Sequence, residues 1–332
     1  MTKYNVYGLG NALVDNEFEV TDAFLAEQNI EKGLMTLIEP EQKQTLLASL
    51  TANFPLKKRA GGGSAANSLV GLTQFGGSAF YACKVGNDEL GSFYATDLEQ
   101  SGVTTRLTEL DSVGETGTCL VMVTDDAERT MNTYLGCTAD LSVNELFIDE
   151  LSEAEYLYIE GYLVPSPTAL TAIAKAKNQA KAQNVKIAMT FSDPSMVKYF
   201  KTGVEEALGT DPIDLLFCNE EEALTFTETD TLEQARDNLL TRAKMVVITL
   251  GANGLLIATA DDVIQVAAEQ VTAVDSNGAG DMVAGAFLYG LTQGWDLTKA
   301  GQLACKAAAQ VVSHFGPRLT QVQQQQILSQ LA

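Results

Sequence analysis

Val274-Asp275-Ser276-Asn277-Gly278-Ala279-Gly280-Asp281 leads straight into the helix-period run Met282 to Leu291, and it decides how the rest of the chain is read. It sets a glycine-containing turn and an aspartate at the mouth of a helix. Gly278 and Gly280 let the backbone approach a ligand closely and adopt conformations that a Cβ forbids. The first amides of a helix lack intrahelical partners, and the helix dipole adds partial positive charge there. The amides of Gly278, Ala279 and Gly280 are therefore a ready seat for a phosphate or a developing phosphoryl anion. An aspartate repels such an anion. Asp281 makes sense there as a base that takes the proton of a hydroxyl attacking the phosphate. The plainer reading is a glycine-containing helix start that only packs against a strand, and a bare Gly-x-Gly would favour it.

A second glycine cluster, Ala60-Gly61-Gly62-Gly63-Ser64-Ala65-Ala66-Asn67, precedes another helix-period run. Gly62 and Gly63 let the chain bend and let a small polar ligand come close, and Asn67 can both donate and accept hydrogen bonds. The bland alternative is a flexible loop with Ser64 as the helix N-cap. Gly8-Leu9-Gly10 ends the first predicted strand but opens no clear helix, so a dinucleotide site is poorly supported. Asp15, just beyond that strand end, could accept hydrogen bonds from two adjacent hydroxyls of a sugar, or simply cap a turn.

Short β-like runs alternate with helical periods, which predicts an α/β fold with a mostly parallel sheet. Strands are expected at 6–10, 79–85, 156–160, 186–190, 215–218, 245–250 and 254–258. Helices are expected at 64–75, 90–101, 168–183, 232–243, 278–293, 297–313 and 321–331. Two segments break the rhythm: 13–59 and 105–138. The second contains Thr118 to Thr124, a polar turn Asp125-Asp126-Ala127-Glu128, and Arg129 to Tyr134, the pattern of a hairpin. The expected organisation is a large α/β domain from 1–12, 60–104 and 139–332, covered by a small β lid from 13–59 and 105–138. Lids exclude water and complete a site on closure.

The chain of 332 residues carries 43 acidic and 21 basic side chains, a formal charge of −22. That balance argues against nucleic acid as a partner. Lys57-Lys58-Arg59 reads as a solvated loop. No apolar run is long enough to span a membrane, so no membrane partner is expected. The five cysteines have no Cys-x-x-Cys pair, and the N-terminus lacks a signal-peptide core; both point to a reducing cytoplasm. The single histidine, His314, rules out a histidine-rich metal site and reads as a capping or surface residue.

The stretch 275–281 resembles the C-terminal signature of the ribokinase-like (PfkB) family of carbohydrate and nucleoside kinases, Asp-Thr-x-Gly-Ala-Gly-Asp, with Ser276 where Thr is common. Gly62-Gly63 to Asn67 resembles the family's N-terminal signature, in the family's order along the chain. The resemblance implies a three-layer ribokinase-like sandwich with a central mostly parallel sheet and a small β-sheet lid. It also implies ATP-dependent phosphoryl transfer, with Asp281 as base and the amides of Gly278–Gly280 as anion hole. Asn11 and Asp15 match the segment that holds the sugar, alongside Gly62, Gly63 and Asn67. Asn219 and Glu222 match the Asn-x-x-Glu motif that organises Mg²⁺, its waters and the triphosphate; Thr249, Gly251 and Gly254 match the nucleotide loop. By itself Gly-x-x-Gly serves equally as a hairpin turn. Thr116-Gly117-Thr118-Cys119 with Arg129 downstream is similar to the lid of adenosine kinases, whose arginine faces the transferred phosphoryl group. With 139–142, 191–194 and 316–318, these strings look most like the bacterial adenosine kinase-like subgroup. A purine nucleoside is the substrate so implied, with a ribose, fructose or ketodeoxy acid kinase as the alternative within the family and a non-catalytic sensor as the alternative outside catalysis. K⁺ as an additional cofactor, and monomer against homodimer, stay open.

Overall fold

The computed structural model describes residues 2–110, 113–126 and 128–331. The strands in chain order are β1 (Tyr4–Leu9), β2 (Leu13–Glu19), β3 (Met35–Leu37), β4 (Leu56–Gly62), β5 (Ala79–Ala82), β6 (Val103–Thr104) and β7 (Gly117–Val123). They continue as β8 (Arg129–Tyr134), β9 (Ala154–Ile159), β10 (Lys186–Thr190), β11 (Leu215–Asn219), β12 (Met245–Thr249), β13 (Leu255–Thr259) and β14 (Val263–Val266). Two sheets result. The larger runs β14-β13-β12-β11-β10-β9-β1-β5-β6, and the smaller runs β3-β8-β7-β2-β4.

In the larger sheet every pair from β6 to β12 is parallel, and β13 and β14 close one edge as antiparallel strands. Parallel strands are stable when both faces are covered. On β9, Tyr156 and Tyr158 enter one apolar cluster, while Leu157 and Ile159 enter the other. The first cluster is completed by helices Ser64–Gln74, Ala279–Thr292 and Leu297–Val312, and the second by Pro167–Ala182 among others. The result is the expected sandwich of helices, sheet and helices. Ala279–Thr292 is buried from Met282 through Leu288, as a helix apolar all round must be. It crosses Ser64–Gln74 closely, because a Cβ on Gly285 would stand 2.2 Å from the Ser68 carbonyl oxygen. That close crossing brings Ser64 and Asn67 up to Asp281.

In the smaller sheet β2 is parallel to β7 and antiparallel to β4, and β7 and β8 are antiparallel, as the hairpin pattern predicts. Of its turn, Ala127 lies outside the described residues. Phe18, Leu120 and Met122 turn to one side, against Phe24, Leu25, Leu46 and Leu50. These come from helices Asp22–Glu27 and Pro40–Asn53, which the β-only reading of 13–59 missed. The longer one buries only Leu46 and Leu50, too faint a stripe to read, although Pro40 opens it behind a Glu39–Gln42 capping box.

Two expectations are corrected. Lys57, Lys58 and Arg59 form no loop; they lie on the edge strand β4, where charge discourages pairing with another chain. β4 runs on to Gly62. The helix after it is capped by Gly63, not Ser64; Gly63 has φ +103°, and a Cβ there would meet the Asn11 carbonyl oxygen at 2.3 Å. The five cysteines are free and buried, and among the described residues no helix is long and apolar enough to cross a membrane.

Candidate active site

Asp281 lies in the first turn of Ala279–Thr292, whose N-cap Gly278 is left-handed at φ +75°. A Cβ on Gly278 would meet Pro317 Cβ at 2.3 Å, whereas one on Gly280 would meet nothing within 4 Å. Gly278 therefore makes the turn, and Gly280 leaves space in front of it. Asp275 ties the turn down: its Oδ1 accepts from the Asn277 amide at 3.0 Å and its Oδ2 from the Gly316 amide at 2.8 Å.

The Asp281 carboxylate accepts hydrogen bonds from Ser64 Oγ at 2.5 Å and Asn67 Nδ2 at 3.0 Å. Burial among these elements pushes its pKa up to about 6, opposed by the two donors and by Arg318. Such a group is still ionised at neutral pH and is a better proton acceptor than an exposed aspartate.

A cavity of about 790 Å³ opens between the two sheets, and Asp281, Gly278 and Gly280 line it. Asn11, Asp15, Gly63 and Asn67 line it as well, as do Asn219, Glu222 and Thr249. Asp15 sits on β2 against Gly62, where a Cβ would come within 2.5 Å of its Oδ1. Burial raises the Asp15 pKa to about 6, with Arg318 and Arg129 pulling it back. Asn11 donates to the Tyr162 carbonyl at 3.4 Å and accepts from Thr138 Oγ1 at 3.2 Å.

Asn219 and Glu222 form a reciprocal capping box at the start of Glu220–Thr227, each side chain accepting from the other's amide at 2.8 Å. Burial pushes the Glu222 pKa up to about 7. No cluster of three or more metal-ligating side chains occurs among the described residues. The oxygen donors present fit a magnesium ion that keeps its waters and rides on phosphates, not one caged by protein.

The expected nucleotide loop divides. Thr249 lines the cavity; Gly251 and Gly254, at φ +56° and +91°, form the tight corner between β12 and β13. A Cβ on Gly254 would meet the Val266 carbonyl oxygen at 1.9 Å, so turn geometry alone accounts for it. Ala279 and Gly62 are not among the residues that line the cavity. Arg129, expected to face the transferred group, pairs with the half-buried Glu17 and the buried Asp275. It meets Glu17 Oε2 at 2.5 Å and Asp275 Oδ2 at 3.0 Å.

Sequence reading missed three contributors. Ser64 bonds Asp281 through its hydroxyl. Glu160, at the end of β9, accepts from the Ala65 amide at 2.8 Å and the Asn11 amide at 3.4 Å, knitting the two loops together. Arg318 reaches Asn67 from 251 positions away, a separation no local pattern reveals.

Residues 34–324 match the profile described as "pfkB family carbohydrate kinase". The chain belongs to the pfkB family. It is thus a phosphotransferase acting on a hydroxyl group. An adenosine kinase structure from Sinorhizobium meliloti superposes at TM-score 0.90 with 34% identity, covering 99% of this chain and 100% of that one. A probable sugar kinase from Rhizobium etli CFN 42 superposes at TM-score 0.89 with 33% identity, covering all of both chains. Adenosine kinase 2 of Arabidopsis thaliana is 28% identical, over 93% of this chain and 94% of its own. In this pfkB kinase the family's two signatures meet in one cavity, at the Asp281–Asn67 hydrogen bond.

Proposed function

We propose that this pfkB kinase transfers the γ-phosphate of ATP to the 5′-hydroxyl of a purine nucleoside, adenosine first among them. The observation that carries the nucleoside reading is the roof of the cavity. Leu13, Met35, Leu37, Cys119 and Met131 line it from the smaller sheet, and Leu135 from just past β8. A flat, mostly apolar base suits that surface; a free sugar would leave it uncovered.

Asp15 faces the same space, and among the described residues its carboxylate accepts no side-chain hydrogen bond. It is placed to receive both hydroxyls of a ribose diol, with Asn11, Gly63 and Asn67 around the sugar. The attacking hydroxyl gives its proton to Asp281, which Ser64 and Asn67 keep aimed at the cavity. As that proton leaves, negative charge builds on the transferring group. The amides of Gly278–Gly280 and the helix dipole receive it without reorganising. Asn219 and Glu222 would hold magnesium through its waters, and when bound that ion supplies charge neutralisation between phosphates. The burial of all five thiols, with no disulfide among them, supports a reducing cytoplasmic setting.

The likeness to the Rhizobium etli probable sugar kinase supports a second reading, a sugar kinase on the same chemistry. A panel of nucleosides and sugars with ATP–Mg²⁺, followed as ADP release, separates the two. Turnover of ribose or fructose with none of any purine nucleoside would overturn the nucleoside assignment.

A further inference from the structure

Arg318 lies beyond the helix Leu297–Val312, in no signature that defines the reaction. Its Nε donates to Asn67 Oδ1 at 2.8 Å, and its Nη1 donates to Asp97 Oδ2 at 2.7 Å on the helix Glu89–Gln100. Its Nη2 is buried and has no partner among the described residues. The other end of Asn67 donates to Asp281 Oδ2. A guanidinium only donates and an ionised carboxylate only accepts, whereas an amide has one end of each kind. A single orientation of Asn67 satisfies both neighbours: oxygen toward Arg318, nitrogen toward Asp281. Turned over, the amide would set its oxygen against the carboxylate and its NH₂ against the guanidinium.

We propose that Arg318 is a positioning residue for phosphoryl transfer, fixing through Asn67 the donor that faces Asp281 and placing a permanent positive charge behind both Asp281 and Asp15. The inference rests on the kinase reading of the site. The charges around the two carboxylates support it. Asp281 is faced by Ser64 and Asn67 from one helix, by Tyr158 from β9 and by Glu160 and Tyr162 just after it; Arg318 is the cation that opposes its burial. Asp15 is faced by Glu17, Arg129 and Lys58 from the smaller sheet, yet Arg318 is the strongest of the charges that lower its pKa. Asp97 takes up Nη1 and so holds the guanidinium in place. Lysine would keep the charge but lose the planar fork that reaches Asn67 and Asp97 together.

The test compares wild type, Arg318→Gln, Arg318→Lys and Asn67→Ala. The acidic limb of kcat/KM against pH is expected to move up by roughly one pH unit in Arg318→Gln, the order of effect of one nearby opposite charge. Arg318→Lys should restore part of that shift, and kcat should fall more than KM rises. A carboxyl ¹³C titration of Asp281, assigned with Asp281→Asn, reads the same midpoint without turnover. A raised midpoint in Arg318→Gln, partly recovered in Arg318→Lys, supports the proposal. An unchanged midpoint in folded Arg318→Gln overturns it. Should Arg318→Gln fail to fold, Arg318→Lys decides, since the proposal requires its midpoint to rise in part and its kcat to fall; Asn67→Ala, which removes the direct donor, sets the scale for that rise. A wild type that phosphorylates neither nucleosides nor sugars sinks the kinase reading, while the titration still judges Arg318.

Discussion

Replacing Asp281 with asparagine should cost activity and add stability, and the two effects have separate origins. The substitution keeps the shape. The new amide can accept from Asn67 through its oxygen and donate to Ser64 Oγ, which accepts as readily as it donates. Loss of the proton acceptor should lower kcat by roughly 10²–10⁴, the usual range for a general base, with ATP and nucleoside binding little changed. Stability moves the other way. Burial raises the carboxyl from 3.8 in the free group to about 6, so the folded protein holds that proton more tightly than the unfolded chain does. Below about pH 4 both states are protonated and there is no penalty. Stability is lost progressively as pH rises from about 4 to 6, and the loss is complete above that. Two pKa units set a ceiling of about 3 kcal/mol. The carboxylate borders an open cavity, where water screens it, so about 1–2 kcal/mol is the expected size. Urea denaturation of wild type and Asp281→Asn at pH 4.5, 6 and 8, beside an ADP-release assay, reads both quantities. The stability gap should open with pH and favour the variant. Near wild-type turnover would remove Asp281 from the chemistry, and a gap that ignores pH would refute the buried-charge account.

If Asp15 holds a ribose diol, 2′-deoxyadenosine should lose roughly 5- to 150-fold in kcat/KM against adenosine, from about 1–3 kcal/mol for a polar group left unpaired. Equal values would dismiss that role. Gly278→Ala must accept a left-handed backbone and displace Pro317, at about 1–3 kcal/mol, so kcat/KM for ATP should drop roughly 5- to 150-fold; unaltered kinetics would mean that the turn tolerates a Cβ. Adenosine should protect the amides of β2, β7 and β8 from hydrogen exchange more than ribose does. Equal protection would argue against a base under the apolar roof.

What could be read from the sequence was whatever repeats locally. β10 begins and ends where its run of β-formers predicts, and the helix 279–292 agrees within a residue of its apolar period. Glycine turns announced Gly63 and Gly278 because only glycine tolerates those φ values at such close quarters. The helices 22–27 and 40–53 escaped notice, since each buries only two side chains and otherwise reads as polar surface. Arg129 shows a different limit. Its presence on a lid-like strand was visible, but its partners were not, because Glu17 and Asp275 are brought to it by strands and turns far apart in the chain. Arg318 was quoted only as part of a string, for the same reason.

The pairing of the smaller sheet has one more consequence. Leu13 is opposite both Gly62 and Gly117, and Thr118 is opposite Tyr134. The four places where the chain passes between the sheets therefore lie side by side. Any rotation of one sheet over the other must be absorbed within a few residues of them, at Asn11–Ala12, Gly63, Glu115–Thr116 and Leu135–Gly136. Gly63 and Gly136, at φ +103° and +57°, have backbone conformations that few other residues could share. Asn11, Gly63 and Leu135 also line the cavity. The backbone that joins the sheets and the shelf that lines the cavity are then one stretch, so a substitution there that changes affinity is expected to change any rotation of the sheets as well.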